Sequence, residues 1–232
     1  VDVERDIGPR HRRQEQSIML RTTEPDDAVD LGGLSMTRLV VGPLSNNAYL
    51  LEDPRTGALA LVDAADEAPR LLGAVGKRPL ATVVTTHRHA DHVQALGAVV
   101  AATSAVTVAG EPDAAALPVP TGRAVTDDDL VEVGHARLRV VRLTGHTPGG
   151  IALVHDGRPA GGVVHVFTGD SLFPGGVGRT GSPEDFATLL TDVRTKLFDG
   201  LPDDTQVWPG HGDPTTLGAE RPHLTEWADR GW

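Results

Sequence analysis

Residues 87–92 read H-R-H-A-D-H and follow directly on A-T-V-V-T-T, a short apolar run of the kind that forms a buried strand. This segment constrains the fold most, because partners for its three imidazoles and one carboxylate have to reach the same strand end. With this chain's own His and Asp frequencies, a match of this form is expected by chance about 0.002 times. Three further positions share its setting, a His or Asp in the loop just after a β-like run. They are His146 after R-V-V-R-L-T-G, Asp170 after V-V-H-V-F-T-G and His211 after Q-V-W-P-G. If those strands point the same way, their ends converge on one edge of the sheets. His87 and His89 can lie on one side of an extended segment while Asp91 and His92 face a second point, so one segment can feed two metals. Imidazole and carboxylate without thiolate suit Zn, Fe or Mn. The glycines in G-H-T-P-G-G and P-G-H-G let backbone and ligand approach a metal closely.

Composition narrows the chemistry further. The 232 residues include 10 His and no Cys, which excludes a disulfide scaffold, a thiolate zinc finger, an iron–sulfur cluster and a cysteine nucleophile. Any metal must sit on His and carboxylate. Asp plus Glu number 32 against 21 Lys plus Arg, a formal net charge of -11, which argues against nucleic acid as the main partner. No apolar stretch approaches the roughly 18 residues of a membrane-spanning helix, so no membrane association is expected. The N-terminal V-D-V-E-R-D-I-G-P-R-H-R-R has no apolar stretch of the signal-peptide kind, and a cytoplasmic location is the default expectation.

The length suits one large domain or two small ones. Residues 1–34 are polar and irregular and read as an extension, partly ordered at most, with the catalytic domain spanning 35–232. From Met36, T-R-L-V-V, N-A-Y-L-L and A-L-A-L-V-D predict a strand and a hairpin. Asp66 to Val75 reads as a helix, and a second helix is expected to begin near Asp91. V-T-V-A is a strand, T-D-D-D a solvated turn, and R-L-R-V-V-R-L a half-buried strand. Ile151–His155 and Val163–Thr168 form a strand pair. Ser182 caps a helix beginning at Pro183, with Asp185 at the capping-box position. Q-V-W-P is the last strand, before a short C-terminal helix. His11, His135, His155, His165 and His223 lack motif context and read as surface or packing residues.

The quoted motifs resemble the metallo-β-lactamase superfamily in its glyoxalase II-like branch, over about Met36 to Trp232. In that family H-x-H-x-D-H, G-H-T-x-G, T-G-D-x-L-F and a final G-H supply seven ligands, and all seven positions are matched here. The resemblance implies a four-layer αβ/βα sandwich, two mixed β-sheets with helices on the outer faces. It also implies two divalent metal ions, most simply Zn, with Fe or Mn as alternatives. One ion would take His87, His89 and His146, the other Asp91, His92 and His211, and Asp170 would bridge them. A merely structural metal is disfavoured, since structural zinc is usually closed by four ligands of its own.

Two cations sharing a hydroxide imply a hydrolase, with Asp91 both ligating and orienting and the carbonyl of an ester, thioester or lactam leaning on one ion. The expected substrate is a small-molecule thioester of the hydroxyacyl-thiol kind. Glyoxalase II proper carries a further C-terminal helical domain, whereas the segment after His211 resembles shorter single-domain relatives. Arg179, in G-G-V-G-R-T, matches a basic position beside the thiol moiety, or else stabilises its loop. The alternative of another class is a mononuclear iron persulfide dioxygenase, which shares the H-x-H-A-D-H and G-R-T segments but typically has P-A-H-D-Y where this chain has P-G-H-G-D-P. A diiron oxygen-reducing protein would carry Glu at the position of His89. Other esters, lactones or lactams remain alternative substrates, and the oligomeric state is unspecified.

Overall fold

The computed structural model describes residues 27–231. Its β-branched runs form strands, and a helix or turn fills each gap where the sequence loses the two-residue period. The described residues begin with β1 (Ala28–Asp30), β2 (Ser35–Val41), β3 (Asn46–Glu52) and β4 (Leu59–Val62), each antiparallel to the one before. It then crosses through α1 (Ala68–Val75) to β5 (Leu80–Thr85), and through α2 (Leu96–Thr103) to β6 (Val106–Gly110). From there it passes through α3 (Glu111–Ala114) to β7 (Arg123–Val125). These crossovers make β4 to β7 parallel, as helix-linked strands of one sheet are. A second sheet comprises β8 (Leu130–Val133), β9 (Ala136–Arg142), β10 (Ile151–Asp156), β11 (Val164–Gly169), β14 (Gln206–Pro209) and β15 (Thr215–Thr216). Between β11 and β14 come the hairpin β12 (Leu172–Phe173) and β13 (Gly176–Val177), then α4 (Pro183–Asp192). α5 (Leu217–Glu220) and α6 (Leu224–Arg230) follow. The sheet orders are β1-β2-β3-β4-β5-β6-β7 and β15-β14-β11-β10-β9-β8.

Alternation along the strands decides the layers. In β9, Leu138 and Val140 face inward to Met36, Tyr49, Leu51, Phe167 and Trp208, which fill the space between the sheets. Val141 faces the other way, onto Val154, Leu189, Val193 and Trp227 under α4 and α6. On the outer face of the first sheet, Leu39, Leu61 and Val83 pack with Leu71, Leu96 and Val99 of α1 and α2. The result is helix, sheet, sheet, helix, the four-layer sandwich that the resemblance implies.

The structure differs from the sequence reading in places. The first sheet begins before Ser35, with β1 paired to β2 and with Leu31 and Leu34 buried in the inter-sheet core; the expectation for residues 1–26 lies outside the described residues. No regular helix begins at Asp91: a single 3-10 turn spans Ala90–His92 and α2 starts at Leu96. The intervening N–H groups of Gln94 and Ala95 are taken by the carbonyls of Ala65 and Ala64, at 3.0 Å each, so the helical ladder is interrupted. The C-terminal helix is split into α5 and α6 around Pro222, which cannot donate to the ladder. In the T-D-D-D turn Asp129 caps the turn itself, accepting from the Thr126 N–H, while Asp127 ties it to the end of β9, accepting from the Arg142 N–H. Ser182 caps α4, its Oγ accepting from the Asp185 N–H at 3.1 Å.

Candidate metal centre

Strand direction assembles the site. β9 and β11 are both antiparallel to β10, and β14 is parallel to β11, so these three strands point the same way. Their C-terminal ends deliver His146, Asp170 and His211. β5 of the other sheet delivers the H-R-H-A-D-H loop to the same edge, where the Ile151 N–H donates to the Thr86 carbonyl at 2.9 Å. All seven side chains meet there. His89 Nδ1 lies 2.9 Å from His146 Nε2, and the His87 ring is 4.9 Å and 4.8 Å from those of His89 and His146. On the far side, His211 Nε2 is 3.2 Å from Asp91 Oδ2 and 3.3 Å from His92 Nε2. Asp170 stands between, with Oδ2 3.7 Å from His146 Nε2 and 3.6 Å from His211 Nε2, and Oδ1 3.3 Å from His92 Nε2. Ligand atoms within 4.8 Å of one another form three groups: His87, His89 and His146; His87, His92 and Asp170; Asp91, His92 and His211.

Four of the five imidazoles are turned by a partner on their other nitrogen. His146 Nδ1 faces the Arg179 carbonyl at 2.6 Å and His211 Nδ1 the Leu44 carbonyl at 3.0 Å. His92 Nδ1 faces Asp63 Oδ2 at 2.8 Å, and His87 Nδ1 faces Thr86 Oγ1 at 3.1 Å. A proton on each of these nitrogens leaves the inward Nε2 with its lone pair free, as a metal ligand requires. Two atoms test the fit to a cation directly: His87 Nε2 and Asp170 Oδ1 are enclosed and make no hydrogen bond. Buried acceptors without a donor are what a cation would satisfy. Gly210 completes the fit, since a Cβ there would strike Asp170 Oδ1 and His92 Cε1.

Asp63 is a site residue that the sequence reading missed. It ends L-A-L-V-D, is buried, and accepts from the Thr86 N–H and Oγ1–H at 2.7 Å each as well as from His92. Asn46 is another: its Nδ2 donates to Asp91 Oδ2 at 2.9 Å, beside His211. The electrostatics follow. Burial and then the neighbouring imidazoles hold His87 well below the usual histidine range, and burial lowers His89 too. Burial opposes the Asp91 charge, but the Asn46 hydrogen bond, His92 and His211 outweigh it and hold the carboxyl low. Burial also opposes charge on His92, yet Asp63 and Asp170 raise it to about 10. Positive charge is therefore favoured at His92, where a proton and a metal would compete.

Arg179 lies on the His146 side, exposed, with no partner for its guanidinium among the described residues. Phe173 borders the opposite side, its ring 6.5 Å from that of His211. Of the other histidines, His135 and His223 are surface residues, His155 and His165 are buried packing residues, and His11 lies outside the described residues. Among the described residues no helix is long and apolar enough to cross a membrane.

Known proteins resemble the chain along most of its length. The family model for the metallo-beta-lactamase superfamily matches residues 41–211. A hydroxyacylglutathione hydrolase from Fuscovulum blasticum is 37% identical over 183 residues, covering 77% of this chain and 67% of the relative. Of the protein so named from Jannaschia sp. (strain CCS1) the chain spans 62%. Among solved structures, ETHE1 from Myxococcus xanthus superposes with a TM-score of 0.72 at 30% identity, covering 84% of each chain. TTHA1623 in a di-iron-bound form gives 0.64 at 32% identity, covering 79% of this chain and 96% of that one.

Proposed function

The chain belongs to the metallo-β-lactamase superfamily, and from that premise we propose that it is a dinuclear metal-dependent hydrolase of thioesters, of the hydroxyacyl-thiol kind. The observation that carries this reading is Asp170 standing between a three-histidine group and the Asp91, His92, His211 group. His87, His89 and His146 are assigned to one ion, Asp91, His92 and His211 to the other, and Asp170 to both. Zinc suits this donor set, as do iron and manganese, and the di-iron relative keeps iron in view. Divalent cations held there would polarise a carbonyl and make water acidic near neutral pH.

The chain's own residues supply the rest. Asp91, kept ionised and aimed by Asn46, orients the attacking water and accepts its proton, which then passes to the departing thiolate. Asp63 and the Leu44 and Arg179 carbonyls hold His92, His211 and His146 so that these three need not reorient during the reaction. The Arg179 guanidinium binds the thiol carrier, whose carboxylates it can meet with paired donors. The partner is a small-molecule thioester, and the net charge of -11 speaks against nucleic acid.

The test is a panel of 2-hydroxyacyl thioesters, lactones and persulfides, with and without oxygen, together with metal analysis of unsupplemented protein. Thiol release at equal rates in aerobic and anaerobic buffer, with about two metal ions per chain, is the expected result. In the same assay Arg179→Ala raises KM more than it lowers kcat. One iron per chain, oxygen uptake with a persulfide and little thioester turnover overturn the reading. They would favour the one-iron persulfide dioxygenase, to which the likeness to ETHE1 lends weight.

A further inference from the structure

Two loops from different sheets supply the three-histidine group: His87 and His89 come from the end of β5, and His146 from the loop between β9 and β10. Both loops close on Asp113, a fully buried carboxylate in α3. Its Oδ2 accepts from the Arg88 N–H at 3.1 Å and from Thr147 Oγ1 at 2.7 Å. Its Oδ1 accepts from the Gly149 N–H at 2.9 Å and lies 3.7 Å from Arg88 Nε. Arg88 is the residue between His87 and His89, and Thr147 is the residue after His146. One side chain thus fixes the spacing of the two loops directly behind the ligands they carry. The backbone is shaped to admit it: a Cβ on Gly149 would collide with the Asp113 main chain, and a Cβ on Gly110, at the start of α3, would collide with the Gly149 carbonyl.

We propose that Asp113 is a positioning residue that sets the geometry of the His87, His89, His146 group, and through it the affinity of that group, and not the other, for a metal ion. The selectivity follows from connectivity. The Asp91, His92, His211 group is supported by different carboxyl and carbonyl partners, namely Asp63 on His92, Leu44 on His211 and Asn46 on Asp91. Asp113 bonds to none of those residues. In Asp113→Asn the amide NH2 replaces one acceptor oxygen and meets N–H or O–H donors, so either the Arg88 and Thr147 side or the Gly149 side loses its partner. The loops then relax apart, and the three nitrogens no longer converge. Support of this kind around a metal typically carries about 10–100-fold in affinity.

The inference rests on the two-metal reading of the site, and zinc binding separates the two. Metal-free full-length protein is titrated with zinc while the imidazole NMR signals of His87, His89, His146, His92 and His211 are followed. In the unsubstituted chain both groups respond. In Asp113→Asn the first three signals should move only at about 10–100-fold higher zinc, with His92 and His211 responding as before. Thr147→Val, which removes one donor and keeps the volume, should weaken the same three in smaller measure, and Thr147→Ser should restore them. If Asp113→Asn does not fold, the Thr147 pair carries the test. Unchanged zinc response of the first group overturns the inference, as does equal weakening of both groups, the mark of a role in general stability. An unsubstituted chain that takes no zinc on His87, His89 and His146 overturns the reading of the site itself, and the inference with it.

Discussion

The ring of His165 is buried between the sheets, stacked on Trp208 with centroids 6.2 Å apart, and its Nδ1 accepts from Trp208 Nε1 at 3.2 Å. An acceptor nitrogen cannot carry a proton. Burial, and then His155 beside it, lower the His165 pKa from 6.5 to about 4. Below pH 6.5 the unfolded chain binds a proton that the folded chain refuses, so this group's stability contribution is whole above 6.5 and lost as pH falls towards about 4. Between pH 6.5 and 5 that is on the order of 2 kcal/mol. Urea unfolding should therefore give a shallower loss between pH 7 and 5 for His165→Gln, whose amide can still accept from Trp208, than for the unsubstituted chain; identical slopes would remove the assignment. At this scale the sequence was readable where chemistry is local. Four candidate ligands sit within six residues at one strand end, and His146, Asp170 and His211 repeat that setting. Asp63 and Asp113 were illegible, because their donors come from segments 23 to 36 residues away and a lone Asp after a strand or in a Pro-rich loop reads as a turn.

α4 was legible to the residue, from Ser182 at its cap to the buried Phe186 and Leu189. It holds more than its own layer, since Asp192 Oδ2 accepts from the Thr144 N–H at 2.9 Å and so anchors the loop carrying His146. Losing the cap should cost about 1 kcal/mol. Ser182→Ala should accordingly lower the melting temperature by a few degrees while leaving kcat within about twofold. A kcat loss matching an Asp170 substitution would mean that α4 governs the site more directly than its hydrogen bonds indicate. Among the elements of two to four residues, β7, β8, β12, β13 and β15 were not foreseen, since so few positions cannot establish a period, whereas β4 and β14 stood out as apolar runs beside the loops that follow them. The late start of α2 was hidden for another reason. The carbonyls that claim the N–H groups of Gln94 and Ala95 belong to Ala64 and Ala65, at the far side of α1.

The site is the seam at which both sheets meet, so its ligands also tie the layers together. Metal ions bound there should stabilise the folded chain by mass action, about 2.7 kcal/mol for each site at a free concentration 100 times its Kd. Chelator-treated protein, stripped of both ions, should melt roughly 10–20 °C lower and recover on adding zinc, and a melting temperature indifferent to both would detach the seam from the cations. The four-layer arrangement follows from inward and outward alternation once the strand order is known, but that order is set by long-range pairings, and the resemblance rather than periodicity supplied it. The same pairings impose a calendar on synthesis. Asn46 bridges to His211 across a separation of 165 residues, whereas the span from His89 to His146 is 57. A ribosome makes the chain from its N-terminus, at about 5–20 residues per second. A nascent chain halted before Trp208 already contains every member of the three-histidine group, while Asp91 and His92 still wait for their partner. The two halves of the centre thus mature in sequence, and β14, the strand that leads into His211, is the one that seals it.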